Sequence, residues 1–256
     1  MTASAGLHNM PAELRVAVVA DAGHVFVRAD LGQIEPRVLA ALSGDANLSR
    51  ATLEDDMYAP VAAQLGVDRA TAKVAMLGAM YGQTTGHGAQ ALRRLRETYP
   101  VAMRYLDDAA SAGQAGRDLR THGGRRIVTA PPGAVEPGPT QDRAAAAARG
   151  RYARNALVQG AAAELFKLWA VTVRARSAAL SASIVLCLHD ELLVHAPLEH
   201  GVAVAQLVDD SLHQAVRWWS PDNTVRFLAH IALIERWADA KEARSSVPSS
   251  GPIWST

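Results

Sequence analysis

One cysteine, Cys187, occurs in 256 residues, so no internal disulfide can form and a disulfide-stapled fold is excluded. A reducing cytosol is the expected compartment, and Cys187 reads as a small buried strand residue. Aromatic residues make up only 5% of the chain, which leaves Ala, Val and Leu to build the core. No stretch of about 18 apolar residues occurs, and the start, Met1 to His8, has neither a basic nor an apolar signal region. Secretion and membrane spanning are therefore not expected. The nine histidines show no Cys/His spacing suited to zinc. Lysine is scarce: Lys73, Lys167 and Lys241 are the only ones among 26 basic residues.

What is present is a chain 49% hydrophobic with mean hydropathy +0.01, enough to bury a substantial core. The net charge of +1 gives no argument for a nucleic-acid partner. Its distribution permits one, because arginines cluster at Arg93, Arg94 and Arg96, at Arg117, Arg120, Arg125 and Arg126, and at Arg143, Arg149, Arg151 and Arg154. No internal repeat is found.

Two acidic positions stand where strand signals run out. His24 to Ala29 reads as a short strand ending at Asp30 and the turn-prone Gly32. Ile184 to Leu188 reads as a second strand, broken by His189-Asp190-Glu191 and resumed as Leu192 to His195, a tight hairpin with its polar residues at the bend. Carboxylates delivered by two strand ends suggest a two-metal site; the alternative, solvated or helix-capping acids, stays open on this pattern alone. Between them, Arg69 to Gly82 reads as a helix with Asp68 to cap its start and Gly82 to end it. Residues four apart on a helix differ by about 40° in azimuth, so Arg69, Lys73, Leu77 and Tyr81 form one stripe roughly 18 Å long. Such a stripe can hold an extended triphosphate; it is equally an amphipathic helix with a basic edge and with Leu77 and Tyr81 in the core.

These residues carry a family resemblance. Asp30-Leu31-Gly32-Gln33-Ile34-Glu35-Pro36-Arg37, the Arg69-x3-Lys73-x7-Tyr81-Gly82 helix, Arg151-x3-Asn155-x3-Gln159-Gly160 and Leu188-His189-Asp190-Glu191 resemble, in order, four motifs of the family A (DNA polymerase I family) DNA polymerases. The resemblance runs from about Asn9 to Asp239 and covers the C-terminal palm and fingers. It implies an α+β fold, an antiparallel palm sheet backed by helices with a helical fingers insertion. Its limits would be palm at 1–44, fingers at 45–128, palm again at 129–240 and a disordered tail at 241–256, with thumb and exonuclease domains absent.

The implied activity is template-directed transfer of a deoxynucleotide to a primer 3′-hydroxyl. Asp30, Asp190, Glu191 and Lys73 would be the catalytic set. Two Mg²⁺ ions, or Mn²⁺, would be held by Asp30, Asp190 and the Leu31 carbonyl. Arg69, Lys73, Leu77, Tyr81, Glu35, Gln33 and Tyr58 would meet the incoming nucleotide, with Glu35 closing the space of a ribose 2′-hydroxyl. Arg151, Asn155, Gln159 and His189 would meet DNA, the first three as a face of donors for minor-groove acceptors. The implied partners are primer-template DNA and deoxynucleoside triphosphates, with no membrane, for a monomer in the bacterial cytoplasm that joins the nucleoid when bound to DNA.

The chain departs from the family pattern at several points. Leu77 stands where Phe or Tyr is usual, Tyr58 where a phosphate-binding His is common, and Leu31, Gly32 and Pro36 are all unusual in the first motif. With no thumb expected, a non-catalytic DNA-binding remnant is the competing reading. An unrelated metal-dependent phosphohydrolase would explain the acids but not the Arg69 helix or Glu35.

Overall fold

The computed structural model describes residues 10–82, 89–130, 139–222 and 224–241. Residues 83–88 and 131–138, and nearly all of the expected tail at 241–256, lie outside the described residues. The strands are β1 (His24–Leu31), β2 (Leu119–Arg120), β3 (Arg126–Ile127), β4 (Ser183–Leu188), β5 (Glu191–Pro197) and β6 (Ala229–Ile234). The α-helices are α1 (Ile34–Ser43), α2 (Ala46–Ala51), α3 (Tyr58–Leu65), α4 (Arg69–Tyr81), α5 (Ala89–Thr98), α6 (Pro100–Gln114), α7 (Pro139–Ser177) and α8 (Gly201–Trp219).

Contacts divide the chain into two compact units, one of residues 1–32, 166–218 and 228–256, the other of 33–165 and 219–227. Contact density thus changes hands after Gly32 and after Leu165, whereas the motif order had set the limits at 44 and 128. In the first unit a four-stranded antiparallel sheet runs β4-β5-β1-β6. β1 is central, which explains its continuous Val25-Phe26-Val27 run: one face carries Val25, Val27 and Ala29, the other Phe26, and all four are buried. Phe26 packs with Leu193, Ala232, Ile234 and Trp237 in one apolar cluster. Behind the sheet residues, the indole N–H of Trp169 on α7 donates to the carbonyl of Val208 on α8 (2.9 Å), satisfying the polar handle of a fully buried ring.

The second unit is helical. α1 begins at Gln33, whose φ of 56° places it in the left-handed region. Pro36 falls in the first turn, and the first α1 amide to bond back is that of Arg37, to Gln33 O (3.2 Å), so proline removes no donor the helix needs. α4 follows the expected limits closely. The Asp68 carboxylate accepts from the Thr71 amide, and Gly82 closes the helix at φ 70°. Its buried face is Ala72, Ala75, Met76, Ala79 and Met80. One 18-residue window of the long helix is apolar enough to cross a membrane, but half of it is buried within the fold, as in a core helix.

Two expectations are corrected. By its β-branched and aromatic composition the sequence from Val225 to Ile234 reads as one last strand, but β6 begins at Ala229. The backbone of Arg226 is spent elsewhere, its amide on Thr52 Oγ1 (3.2 Å) and its carbonyl on the Arg37 guanidinium (2.5 Å), which leaves nothing for a ladder. Cys187 is exposed rather than buried. It sits on β4, an edge strand whose outward residues alternate with half-buried ones.

Candidate active site

Asp30 and Asp190 are brought to the same end of the sheet. Asp30 is the penultimate residue of β1 and pairs with Glu191 on β5 and His230 on β6. β4 and β5 are joined by His189 and Asp190 alone, and His189 takes φ 45° to make the turn. The Leu31 amide donates to the Asp190 carbonyl (2.9 Å), so the turn is fastened to the end of β1 by its backbone. Burial first, and the charge of Asp30 second, push the Asp190 carboxyl above the ordinary carboxylate range. His189 is exposed beside it.

A cation that the sequence reading passed over lies at this end. Arg28, two residues before Asp30 and therefore on the same face of β1, reaches both acids with one nitrogen: Nη2 is 2.9 Å from Asp30 Oδ2 and 2.6 Å from Glu191 Oε2. The Trp237 indole donates to the other Glu191 oxygen (2.6 Å). Both carboxylate oxygens of Glu191 are engaged, which suits a supporting part better than direct metal ligation. Among the described residues, no three His, Cys, Asp or Glu side chains converge on a metal-sized site. The donor set is thus two carboxylates, the hard oxygen ligands Mg²⁺ takes when substrate phosphates complete its shell.

In the second unit the stripe on α4 lies away from the buried face. Arg69 and Lys73 are exposed, while Leu77 and Tyr81 are half-buried rather than core residues. Arg69 is not free: its Nε and Nη2 fork onto the Asp56 carboxylate, the second contact at 3.1 Å. Burial opposes the charge on Asp56, but hydrogen bonds from Arg69 and Gln33 outweigh it and hold the carboxyl below its usual range. Gln33 donates to Asp56 Oδ1 (2.7 Å) and accepts from the Met57 amide (3.0 Å), joining the start of α1 to the start of α3. Tyr58 is buried, at 3% exposure, beneath the Arg69 guanidinium. Burial, then Glu35, pushes its phenol up to about 12. Its ring thus props the Arg69 guanidinium.

Glu35 and Tyr81 are brought together, the Tyr81 hydroxyl donating to Glu35 Oε2 (2.8 Å). Burial and this carboxylate raise the Tyr81 phenol, while a hydrogen bond with Gln159 works the other way. Gln159 and Arg151 are exposed on α7 and Asn155 is half-buried, its Oδ1 without a protein partner. Arg37 is fully buried, donating to the carbonyls of Thr52 (2.6 Å), Glu54 (2.9 Å) and Asp55 (3.0 Å) as well as Arg226. Burial, then Arg226, lowers its guanidinium to about 10. Glu164 likewise went unread; it holds the Thr121 to Arg125 turn through the Thr121 hydroxyl and the Gly123 amide. Neither Arg28 nor Glu164 carries a local sequence signal, because each acts on a residue far along the chain.

Residues 6–239 match the family described as DNA polymerase family A. The chain belongs to DNA polymerase family A. A DNA polymerase I of Chloroflexus aurantiacus is 34% identical over 244 residues, covering 82% of this chain and 25% of that protein. A thermostable DNA polymerase I of Thermus thermophilus is 30% identical over 92% of this chain and 30% of its own length. The family A chain therefore spans about a quarter to a third of these relatives. Among solved structures, the POL domain of Pol1 from M. smegmatis, in complex with DNA primer-template and dNTP, superposes with a TM-score of 0.75 at 26% identity, over 92% of this chain and 45% of that one. The α+β palm-and-fingers class read from the motifs is the class found.

Proposed function

We propose that this chain is the palm-and-fingers part of a DNA-directed DNA polymerase, transferring a deoxynucleotide to a primer 3′-hydroxyl on a DNA template. The observation that carries the reading is the meeting of Asp30 and Asp190 at one sheet end, fixed by the backbone bond from Leu31 to Asp190. Family membership and the likeness to a polymerase domain solved with primer-template and dNTP support it.

Asp30 and Asp190, with the Leu31 carbonyl, would hold Mg²⁺, or Mn²⁺. When bound, two such ions supply charge neutralisation and an acidified 3′-hydroxyl for in-line displacement. The chain's own side chains do the rest. Arg69 and Lys73 neutralise the triphosphate, Arg69 by exchanging its Asp56 partner for phosphate oxygens, and Lys73 gives a proton to the departing pyrophosphate. Glu35, steadied by Tyr81, fills the room a 2′-hydroxyl would need. Arg151, Asn155 and Gln159 meet minor-groove acceptors common to every base pair, and the unpaired Asn155 Oδ1 has capacity for a donor there.

A second reading, a duplex-binding module without chemistry of its own, draws on Arg28, whose guanidinium already occupies Asp30 and Glu191. Primer extension on a recessed template with Mg²⁺ and deoxynucleotides at low salt, beside Asp190→Asn, decides between them. Extension that disappears in Asp190→Asn is the expected result; duplex binding without extension establishes the second reading.

A further inference from the structure

We propose that Arg28 is a tethered counter-cation of the acidic site, which bridges Asp30 to Glu191, competes with divalent metal for Asp30 and so sets the metal concentration at which the site fills. The inference rests on Asp30 and Asp190 being the metal-holding pair.

Three carboxylates, Asp30, Asp190 and Glu191, crowd one sheet end, and their mutual repulsion is a standing cost unless a cation is present. Arg28 supplies one from within the chain. Strand alternation aims its side chain at the acids, the small Ala232 lies opposite it on β6, and the side chain is 17% exposed. Burial works against its charge, but Glu191 and Asp30 together outweigh that and favour the charged form. An arginine in this position cannot relieve the contact by giving up a proton. It leaves only by moving.

The manner of the contact makes movement feasible. Both carboxylates are met by the one nitrogen Nη2, and the buried Nε has no partner. This is an end-on bridge, weaker than the two-pronged fork in which Arg holds a carboxylate most firmly. Glu191 keeps its indole partner, Trp237, when the guanidinium goes. Asp30 does not keep Arg28, so its oxygens become available to metal as the arginine is displaced. The arginine thus covers the acids in the absence of metal and has to be outcompeted before they bind it.

The test is a Mn²⁺ titration of the full chain without DNA or nucleotide, following free Mn²⁺ by electron paramagnetic resonance. Wild type, Arg28→Gln, Arg28→Lys, Asp190→Asn and the Arg28→Gln/Asp190→Asn pair are compared, with circular dichroism confirming that each is folded. Arg28→Gln keeps donors but no charge, and its dissociation constant is expected to fall about tenfold, the scale of one charge-assisted hydrogen bond. Arg28→Lys retains the charge and stays near wild type. Asp190→Asn weakens binding, alone and in the pair. The same arginine removal lowers the melting temperature without metal, and Mn²⁺ restores it. Equal Mn²⁺ affinity in wild type and Arg28→Gln overturns the proposal, as does absence of binding in both, or a double variant that binds as tightly as Arg28→Gln. Primer extension is scored separately: an affinity shift without extension in any variant counts against the polymerase reading and leaves the counter-cation standing.

Discussion

Arg37 illustrates how much one side chain can hold. Its guanidinium is fully buried and satisfies four backbone carbonyls, three in the segment from Thr52 to Asp55 and one at Arg226. Replacing it by Met keeps much of the volume but strands those acceptors, and chemical denaturation is expected to show a loss of about 3 kcal/mol or more. Glu35 makes a different kind of claim. Its carboxylate accepts from the Tyr81 hydroxyl, and its proposed part is to exclude a 2′-hydroxyl. Glu35→Ala should narrow the preference for deoxynucleotides over ribonucleotides in primer extension by at least about tenfold. The family resemblance singled out Glu35, whereas the burial of Arg37 depends on where residues 52–55 and 226 travel, which no local pattern records.

At the scale of elements, α4 was legible almost to the residue. Its cap and its closing glycine are local signals, and both are found, while its buried face is Ala72, Ala75, Met76, Ala79 and Met80 and not Leu77 and Tyr81. The link from α3 to α4 was not legible, since the Asp56 to Arg69 pair joins residues whose spacing belongs to no helix period. Because Asp56 titrates lower in the folded chain than in the unfolded one, its contribution is present above the unfolded carboxylate range and lost as pH falls through the folded value. Asp56→Asn should therefore be less stable than wild type at neutral pH, by no more than about 1 kcal/mol given the exposure of the pair, with the gap closing in acid. A gap that persisted unchanged at low pH would assign the effect to the Gln33 and Tyr58 contacts instead. The false strand at Val225 to Phe227 has the same origin as the missed pair: β-branched and aromatic composition says a segment suits a sheet, while the destination of its backbone hydrogen bonds is decided by partners far away.

For the whole molecule, the order of four motifs was enough to give the fold class and the family. The division into compact units was not, because contact density follows α7 through Leu165 and returns at Trp219, cutting across the motif order. Duplex binding by this chain, which spans about a quarter to a third of its polymerase relatives, should be weak and steeply salt-dependent. A logarithmic plot of affinity against salt should fall by about 0.9 for each phosphate neutralised, and Arg151→Ala should flatten it by about one phosphate without changing sequence preference. A slope unaltered by this change would remove Arg151 from the DNA-contacting face.

The edge position of Cys187 offers a practical handle on all of this. It is the one thiol in the sequence, it is exposed, and it stands three residues before Asp190 on the strand that leads into the acidic turn. A nitroxide attached there would need no engineered cysteine and no removal of competing ones. Partial burial raises the thiol's pKa, so coupling should run faster in mildly alkaline buffer than at neutrality. Paramagnetic Mn²⁺ arriving at the neighbouring carboxylates would broaden the label's signal, turning the edge strand into a reporter of when the acids take up metal.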